Sequence, residues 1–315
     1  MDTTQSQKAF VGTHTAIITP FAKDGSVDWK AFKFLIDKQI NAGVDGIVFV
    51  GTTGESPTLT HKEHNELLYK SVELVDGRSA VIHGTGSNAT QESLDFAKIA
   101  AKTGADAQLV VNPYYNKPTQ AGLKAHFEAI ADATDLPVIL YNIQGRSAIN
   151  LETDTLLELA EHENIVAVKE ASGNFAQITE IIRFAPSDFT VLSGDDGLIL
   201  SFMAAGGDGL ISVIGNAMPA TTAHLINLCL ANKYEAAREL YFLIYDLLQD
   251  VGRETNPIPI KALVSLLFPD KVLSGMRLPM TPPTPKTLEA LKGYLGSITE
   301  IEAAMLELHL AQAEI

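Results

Sequence analysis

The sequence predicts an α/β protein, an eight-stranded (β/α)8 barrel of the TIM barrel type with a small C-terminal helical appendage. Three observations carry that expectation. Short apolar runs bounded by turn residues alternate with amphipathic stretches eight times in succession between residues 15 and 231. The runs largely lack polar alternation, as strands buried on both faces of a parallel sheet do. No dinucleotide fingerprint follows the first run, where an open doubly wound sheet would normally carry one. The 315 residues, 46% hydrophobic and 19% charged, suffice for one barrel and an appendage.

Taken in order, the first strand is expected at 15–20 and its helix at 28–42. There Phe32, Leu35, Ile36 and Ile40 recur at helical spacing, and Gly43 closes the end. The second strand spans 46–50. Its helix, 62–75, starts near Thr60 with Glu63 three residues on, the spacing of a capping box. Strand 80–84 precedes helix 90–103, strand 107–111 precedes helix 119–134, and strand 137–141 precedes helix 152–162. The sixth strand runs into Lys169 and leads to helix 175–184. Strand 189–194 with helix 197–205, then strand 209–213 with helix 219–231, complete the series. Beyond Asn232 the alternation stops, and helical stretches at 234–251, 258–268, 287–295 and 299–310 remain. The expected division is a catalytic barrel over 1–231 and a helical region over 232–315.

A net charge of −15 and a pI near 4.9 argue against nucleic acid or an anionic membrane surface as partner. The single cysteine, Cys229, excludes an internal disulfide and a cysteine-rich metal site; its apolar surroundings fit a buried small hydrophobe. The first residues show no basic-then-apolar signal pattern, and no apolar run approaches a membrane span. The expectation is a soluble, cytoplasmic protein.

In a barrel, chemistry gathers at the C-terminal ends of the strands. Lys169 follows the apolar run Ile165-Val166-Ala167-Val168. A low-dielectric neighbourhood there favours the neutral amine, a nucleophile for carbonyl carbon, although a lysine in such a place also serves simply to reach water. Gly51-Thr52-Thr53-Gly54 ends the second strand, with turn amides suited to a carboxylate and two hydroxyls suited to proton relay. Tyr114 and Tyr115 sit in a proline-bounded loop after the fourth strand. Tyr141 and Arg146 follow the fifth, and Ile211 lies in the eighth. Singly, each has a bland reading as a turn, packing or surface residue. Together, a lysine, a phenol, a hydroxyl pair and an arginine on one barrel face suit imine chemistry on an α-keto acid.

Five ordered motifs add a family resemblance: Gly-Thr-Thr-Gly-Glu at 51–55, Pro-Tyr-Tyr-Asn at 113–116, Leu-Tyr-Asn at 140–142, Val-Lys-Glu-Ala at 168–171 and Gly-Leu-Ile-Ser-Val at 209–213. The chain resembles the pyruvate-dependent class I aldolases of the N-acetylneuraminate lyase and dihydrodipicolinate synthase family, with Arg146 and Thr52-Thr53 pointing to the synthase branch. The resemblance implies a carbon–oxygen lyase that condenses pyruvate with L-aspartate 4-semialdehyde in lysine and diaminopimelate biosynthesis. It implies that Lys169 forms the Schiff base, that Tyr141, Thr52 and Tyr115 relay protons, and that Tyr115 comes from a neighbouring subunit. Thr53 holds the pyruvate carboxylate, Arg146 receives the semialdehyde, and Ile211 contacts the imine through its backbone. No metal or organic cofactor is implied. A homotetramer, a dimer of dimers, is. An L-lysine effector site is implied at Ser56, His61, His64, Asn88, Glu92 and Tyr114, with Pro57 replacing a small residue. Segment 143–148 departs from the family's Val-Pro-Ser-Arg-Thr-Gly, and a glycine where proline is usual implies a looser loop around Arg146. Two other readings use the same residues: a related aldolase acting on a keto-sugar acid or 4-hydroxy-2-oxo acid, and a catalytically silent barrel that senses a keto or amino acid.

Overall fold

A computed structural model of the chain describes residues 8–313. Eight strands close into a barrel in sequence order: β1 (Gly12–Ala16), β2 (Gly46–Phe49), β3 (Ala80–Gly84), β4 (Ala107–Val111), β5 (Val138–Asn142), β6 (Ile165–Glu170), β7 (Thr190–Ser193) and β8 (Gly209–Ser212). The recorded pairings are parallel, so the strands end on one barrel face. The helices between them are α1 (Trp29–Asn41), α2 (His61–Val75), α3 (Thr90–Thr103), α4 (Gln120–Ala131), α5 (Gln144–Ser147), α6 (Thr153–Ala160), α7 (Phe175–Phe184), α8 (Ile199–Ala204) and α9 (Pro219–Leu230). Helices α10 (Tyr234–Val251), α11 (Ile258–Leu267), α12 (Pro285–Lys292) and α13 (Leu295–Ala313) follow.

The helix starts are set by local chemistry. Asp28 accepts from the Lys30 and Ala31 amides at the head of α1, and Thr119 and Asn174 do the same for α4 and α7. Thr60 and Glu63 form the expected capping box on α2. Such a cap contributes about 1 kcal/mol.

The chain divides into two compact units. One is Ile82–Leu210 with the stretch before Gly12, and the other is Gly12–Val81 with the chain from Ile211 onward. In the first unit, Val110, Leu140 and Val168 from the strands pack with Phe127, Leu156, Leu159, Ile178, Ile181 and Phe202 from the helices. In the second, Asn216 accepts from the Ile18 amide at 2.9 Å and donates to the Ala16 carbonyl at 2.8 Å. No helix among the described residues is long and apolar enough to cross a membrane.

Four expectations are corrected. The first strand lies at Gly12–Ala16 rather than 15–20. Its Thr13, His14 and Thr15 are polar, which hides the strand from a hydrophobicity reading, yet all three are buried. At its end the Ile17 amide makes a last bond to the Val48 carbonyl, and the Asn216 side chain takes up the Ala16 carbonyl and the Ile18 amide. The helix expected at 197–205 begins as a 3-10 turn, with α8 starting at Ile199. Residues 144–147 are not a loose loop but the single helical turn α5. There the Arg146 and Ser147 amides donate to the Ile143 carbonyl, and the Ser147 hydroxyl does so at 2.9 Å. The last two helices break at Gly293-Tyr294 rather than near 296–298, so α13 is one continuous helix. Its Glu302 accepts from the Ala220 and Thr221 amides at 2.8 and 3.0 Å. That caps α9, whose own N-cap residue, Met218, offers no side-chain bond.

Candidate active site

In the first unit, parallel pairing puts Tyr141 of β5 directly beside Lys169 of β6, and Asn142 beside Glu170. Strand alternation then sends the two pairs to opposite faces. Lys169 is 4% exposed, and its Nζ lies 4.4 Å from the centre of the Tyr141 ring. Room for the lysine comes from Gly194: a Cβ there would fall 2.9 Å from Lys169 Cε and 2.7 Å from Ala171 Cβ. A side chain at 194 would push the amine aside.

The other face of the same strands is tied by amides. Asn142 accepts from Asn112 at 2.9 Å and from the Leu151 amide at 3.0 Å, and donates to Glu170 at 2.9 Å. Glu170 also accepts from the Ser172 amide at 2.6 Å. Burial pushes the Glu170 carboxyl above its ordinary range, and the bonds from Ser172 and Asn142 act against that shift. This network fixes the ends of β5 and β6 next to Tyr141 and Lys169. It rests on Asn and Glu residues inside motifs whose neighbours drew the attention, so the sequence reading passed over it.

Tyr115 is placed differently. It is 88% exposed with φ +76°, and Asn116 N donates to the Tyr114 carbonyl at 3.0 Å. That is a γ-turn of the rarer positive-φ kind, strained for a tyrosine. The turn aims the phenol away from its own chain. Arg146 is exposed on α5.

In the second unit, the turn after β2 begins and ends on non-glycine residues in the left-handed region, Val50 (φ +49°) and Glu55 (φ +55°). Thr53 is buried and its Oγ1 accepts from Asn256 Nδ2 at 2.9 Å. Thr52 is partly exposed. The Thr52 carbonyl accepts from the Glu55 amide at 3.1 Å, and the Gly54 carbonyl accepts from Thr19 Oγ1 at 2.7 Å. Glu55 pairs with the fully buried Lys261. Ile211 is fully buried in β8.

The effector candidates fall in both units. Ser56 follows the turn after β2; His61 and His64 occupy the first turn of α2, where His64 is 4% exposed. Asn88 and Glu92 flank the start of α3. The Asn88 carbonyl accepts from Asn116 at 2.8 Å, and Glu92 accepts from the Ser87 hydroxyl. Tyr114, beside Tyr115, is 38% exposed. Among the described residues no group of three or more His, Cys, Asp and Glu side chains is placed to hold a metal ion.

Known proteins share this arrangement of elements. The Dihydrodipicolinate synthetase family profile matches residues 9–297. The chain belongs to that family. The 4-hydroxy-tetrahydrodipicolinate synthase of Syntrophobacter fumaroxidans is 48% identical over 277 residues, 88% of this chain and 94% of the relative. The crystal structure of dihydrodipicolinate synthase from Aquifex aeolicus superposes with a TM-score of 0.89 at 43% identity, covering 92% of this chain and 98% of that one. The enzyme of Cyanidioschyzon merolae, solved with lysine bound, gives 0.89 at 38% identity over 93% and 99%.

Proposed function

We propose that the protein condenses pyruvate with L-aspartate 4-semialdehyde to 4-hydroxy-tetrahydrodipicolinate, as a carbon–oxygen lyase of lysine and diaminopimelate biosynthesis. The observation that carries the reading is the buried Lys169 amine held against the Tyr141 ring at paired strand ends, in a chain 48% identical to a synthase of that name.

The Lys169 amine adds to the pyruvate ketone, and water leaves as the imine forms. Loss of a methyl proton gives the enamine, whose carbon attacks the semialdehyde carbonyl. The substrate's own amine then displaces Lys169, closing the ring and freeing the enzyme. One water leaves per turnover. Tyr141 sits where a proton must be given and taken near Nζ, with Thr52 and Tyr115 as the relay. Thr53 and the amides of its turn hold the pyruvate carboxylate, Arg146 takes the carboxylate of the semialdehyde, and the Ile211 backbone borders the imine. The helical turn α5 gives Arg146 a fixed base without the family's proline.

The outward, strained Tyr115 suits donation to a second copy, and the assembly proposed is a homotetramer built as a dimer of dimers. L-lysine is the proposed effector, at Ser56, His61, His64, Asn88, Glu92 and Tyr114; Glu92 supplies the carboxylate for an ammonium. A cytoplasmic setting goes with this biosynthetic role.

Borohydride reduction in the presence of pyruvate tests the reading. A reduced pyruvyl adduct at Lys169, with turnover that requires the semialdehyde, is the expected result. No adduct at Lys169 would overturn the imine mechanism, and an adduct without semialdehyde-dependent turnover would replace the second substrate.

A further inference from the structure

Lys261 is among the largest fully buried side chains in the chain, and the mechanism above gives it nothing to do. A buried lysine is an expensive choice, since a buried ion pair is often matched or bettered in stability by apolar residues of the same volume. Its surroundings are specific. Its amine meets Glu55 Oε1 and lies 4.2 Å from the centre of the Phe21 ring. The Arg277 guanidinium lies 4.3 Å from the same ring, and the Arg277 amide approaches Glu55 Oε2 at 3.4 Å. Arg277 in turn donates to the Gly25 and Thr58 carbonyls and to Glu63.

Glu55 is the last residue of the turn that carries Thr52 and Thr53, and it is held at φ +55°. A left-handed non-glycine residue persists only where its surroundings over-determine it. Here the carboxylate is fixed on both oxygens from outside the turn. Five residues before Lys261, Asn256 grips the same turn a second time, donating its amide hydrogen to Thr53 Oγ1 at 2.9 Å. A hydroxyl that accepts from Asn256 keeps its own proton to donate elsewhere.

We propose that Asn256 and Lys261 are positioning residues for the Thr52-Thr53 turn: Lys261 locks its backbone through Glu55, and Asn256 orients the Thr53 hydroxyl so that its proton is offered to the pyruvate carboxylate. Both residues act through others and touch no reacting atom. The inference rests on the reading of Thr53 as a carboxylate holder.

The test is the pyruvate concentration that half-saturates borohydride trapping at Lys169, measured on the intact chain. Asn256→Ala is one variant. The other is the double change Lys261→Met with Glu55→Leu, which removes both charges together and leaves no buried ion unpaired. Each is expected to raise the half-saturating pyruvate about tenfold, with trapping at saturating pyruvate and the KM for semialdehyde little changed. Lys261→Arg keeps the cation and recovers part of the loss. A half-saturation within about twofold of the native value in Asn256→Ala, a change that does not depend on the fate of the ion pair, overturns the proposal. Thr53→Val separates the two readings. A rise there with none in the latch variants overturns the latch alone. No rise in any of them overturns the carboxylate assignment on which it rests.

Discussion

Two strained segments of this chain, the turn from Val50 to Glu55 and the loop from Tyr115 to Lys117, solve the same problem in opposite ways. Each begins and ends on a non-glycine residue at positive φ, +49° and +55° in the turn, +76° and +47° in the loop. Each such residue costs on the order of 1–3 kcal/mol. The turn is held by buried or partly buried bonds from its own unit: Thr19 to the Gly54 carbonyl, Asn256 to Thr53, and Lys261 to Glu55. The loop has a solvent-exposed hydrogen bond from Asn116 to the Asn88 carbonyl, and its tyrosine stands 88% in the open. The strain of the turn is compensated within its own unit. The strain of the loop is left at the surface under a bulky aromatic, as the proposed donation of Tyr115 to a second copy would require.

The largest test of that contrast is Tyr115→Gly. Glycine adopts φ +76° freely, so the variant should gain about 1 kcal/mol in urea unfolding. If Tyr115 relays protons as proposed, loss of its hydroxyl should lower kcat about 100-fold or more. A protein made more stable and less active marks the strain as functional. If Tyr115→Gly keeps full kcat, the loop is strained for some other reason and the relay must be redrawn.

How far the sequence reveals these features depends on the kind of interaction. The barrel, its eight units and the position of Lys169 follow from apolar periodicity, which reports burial directly. Thr60 and Glu63 announce α2 because capping is local in sequence. The first strand escaped because Thr13, His14 and Thr15 are buried polar residues, and composition cannot tell those from a loop. The helical turn at 144–147 escaped because what stabilises it is a serine hydroxyl returning to the Ile143 carbonyl. Gly194 gives no sign in sequence of being the space that Lys169 fills. The partners of Lys261 and Asn256 lie about 200 residues away, at Glu55 and Thr53. Contacts between distant segments are what a linear pattern does not carry.

A smaller test compares one hydrogen bond from each segment. Thr19→Val removes a buried donor and leaves the Gly54 carbonyl unsatisfied, which should cost about 1–3 kcal/mol. Asn116→Ala removes a bond of similar length from the loop, where water replaces the donor, and should cost about 0.5 kcal/mol or less. Equal losses in denaturant unfolding would mean that the loop is as tightly held as the turn, and the contrast between them would fall.

A modest effect, confined to stability, is expected in α13, which continues past residue 297, where the family match ends. Glu302 places its carboxylate on the first amides of α9, a helix that opens with Pro219 and has no side-chain cap of its own. The arrangement resembles the contacts of Asn256 and Lys261 with the turn in joining segments of the same unit that are distant in sequence. It differs in serving a helix end rather than a strained turn, so no backbone strain waits to be released. Glu302→Gln keeps an acceptor for the Ala220 or Thr221 amide and loses the charge that favours a helix N-terminus. The expected cost is about 0.5–1 kcal/mol in urea unfolding, with kcat and both KM values unchanged. His309 of the same helix packs where a Cβ on Gly43 would stand, 2.1 Å from its Cε1. The tail is therefore seated at two points, and loss of one should leave it docked. A change in pyruvate KM on Glu302→Gln would show that the tail reaches the catalytic turn, and would join the stabilising contacts of this unit to its chemistry.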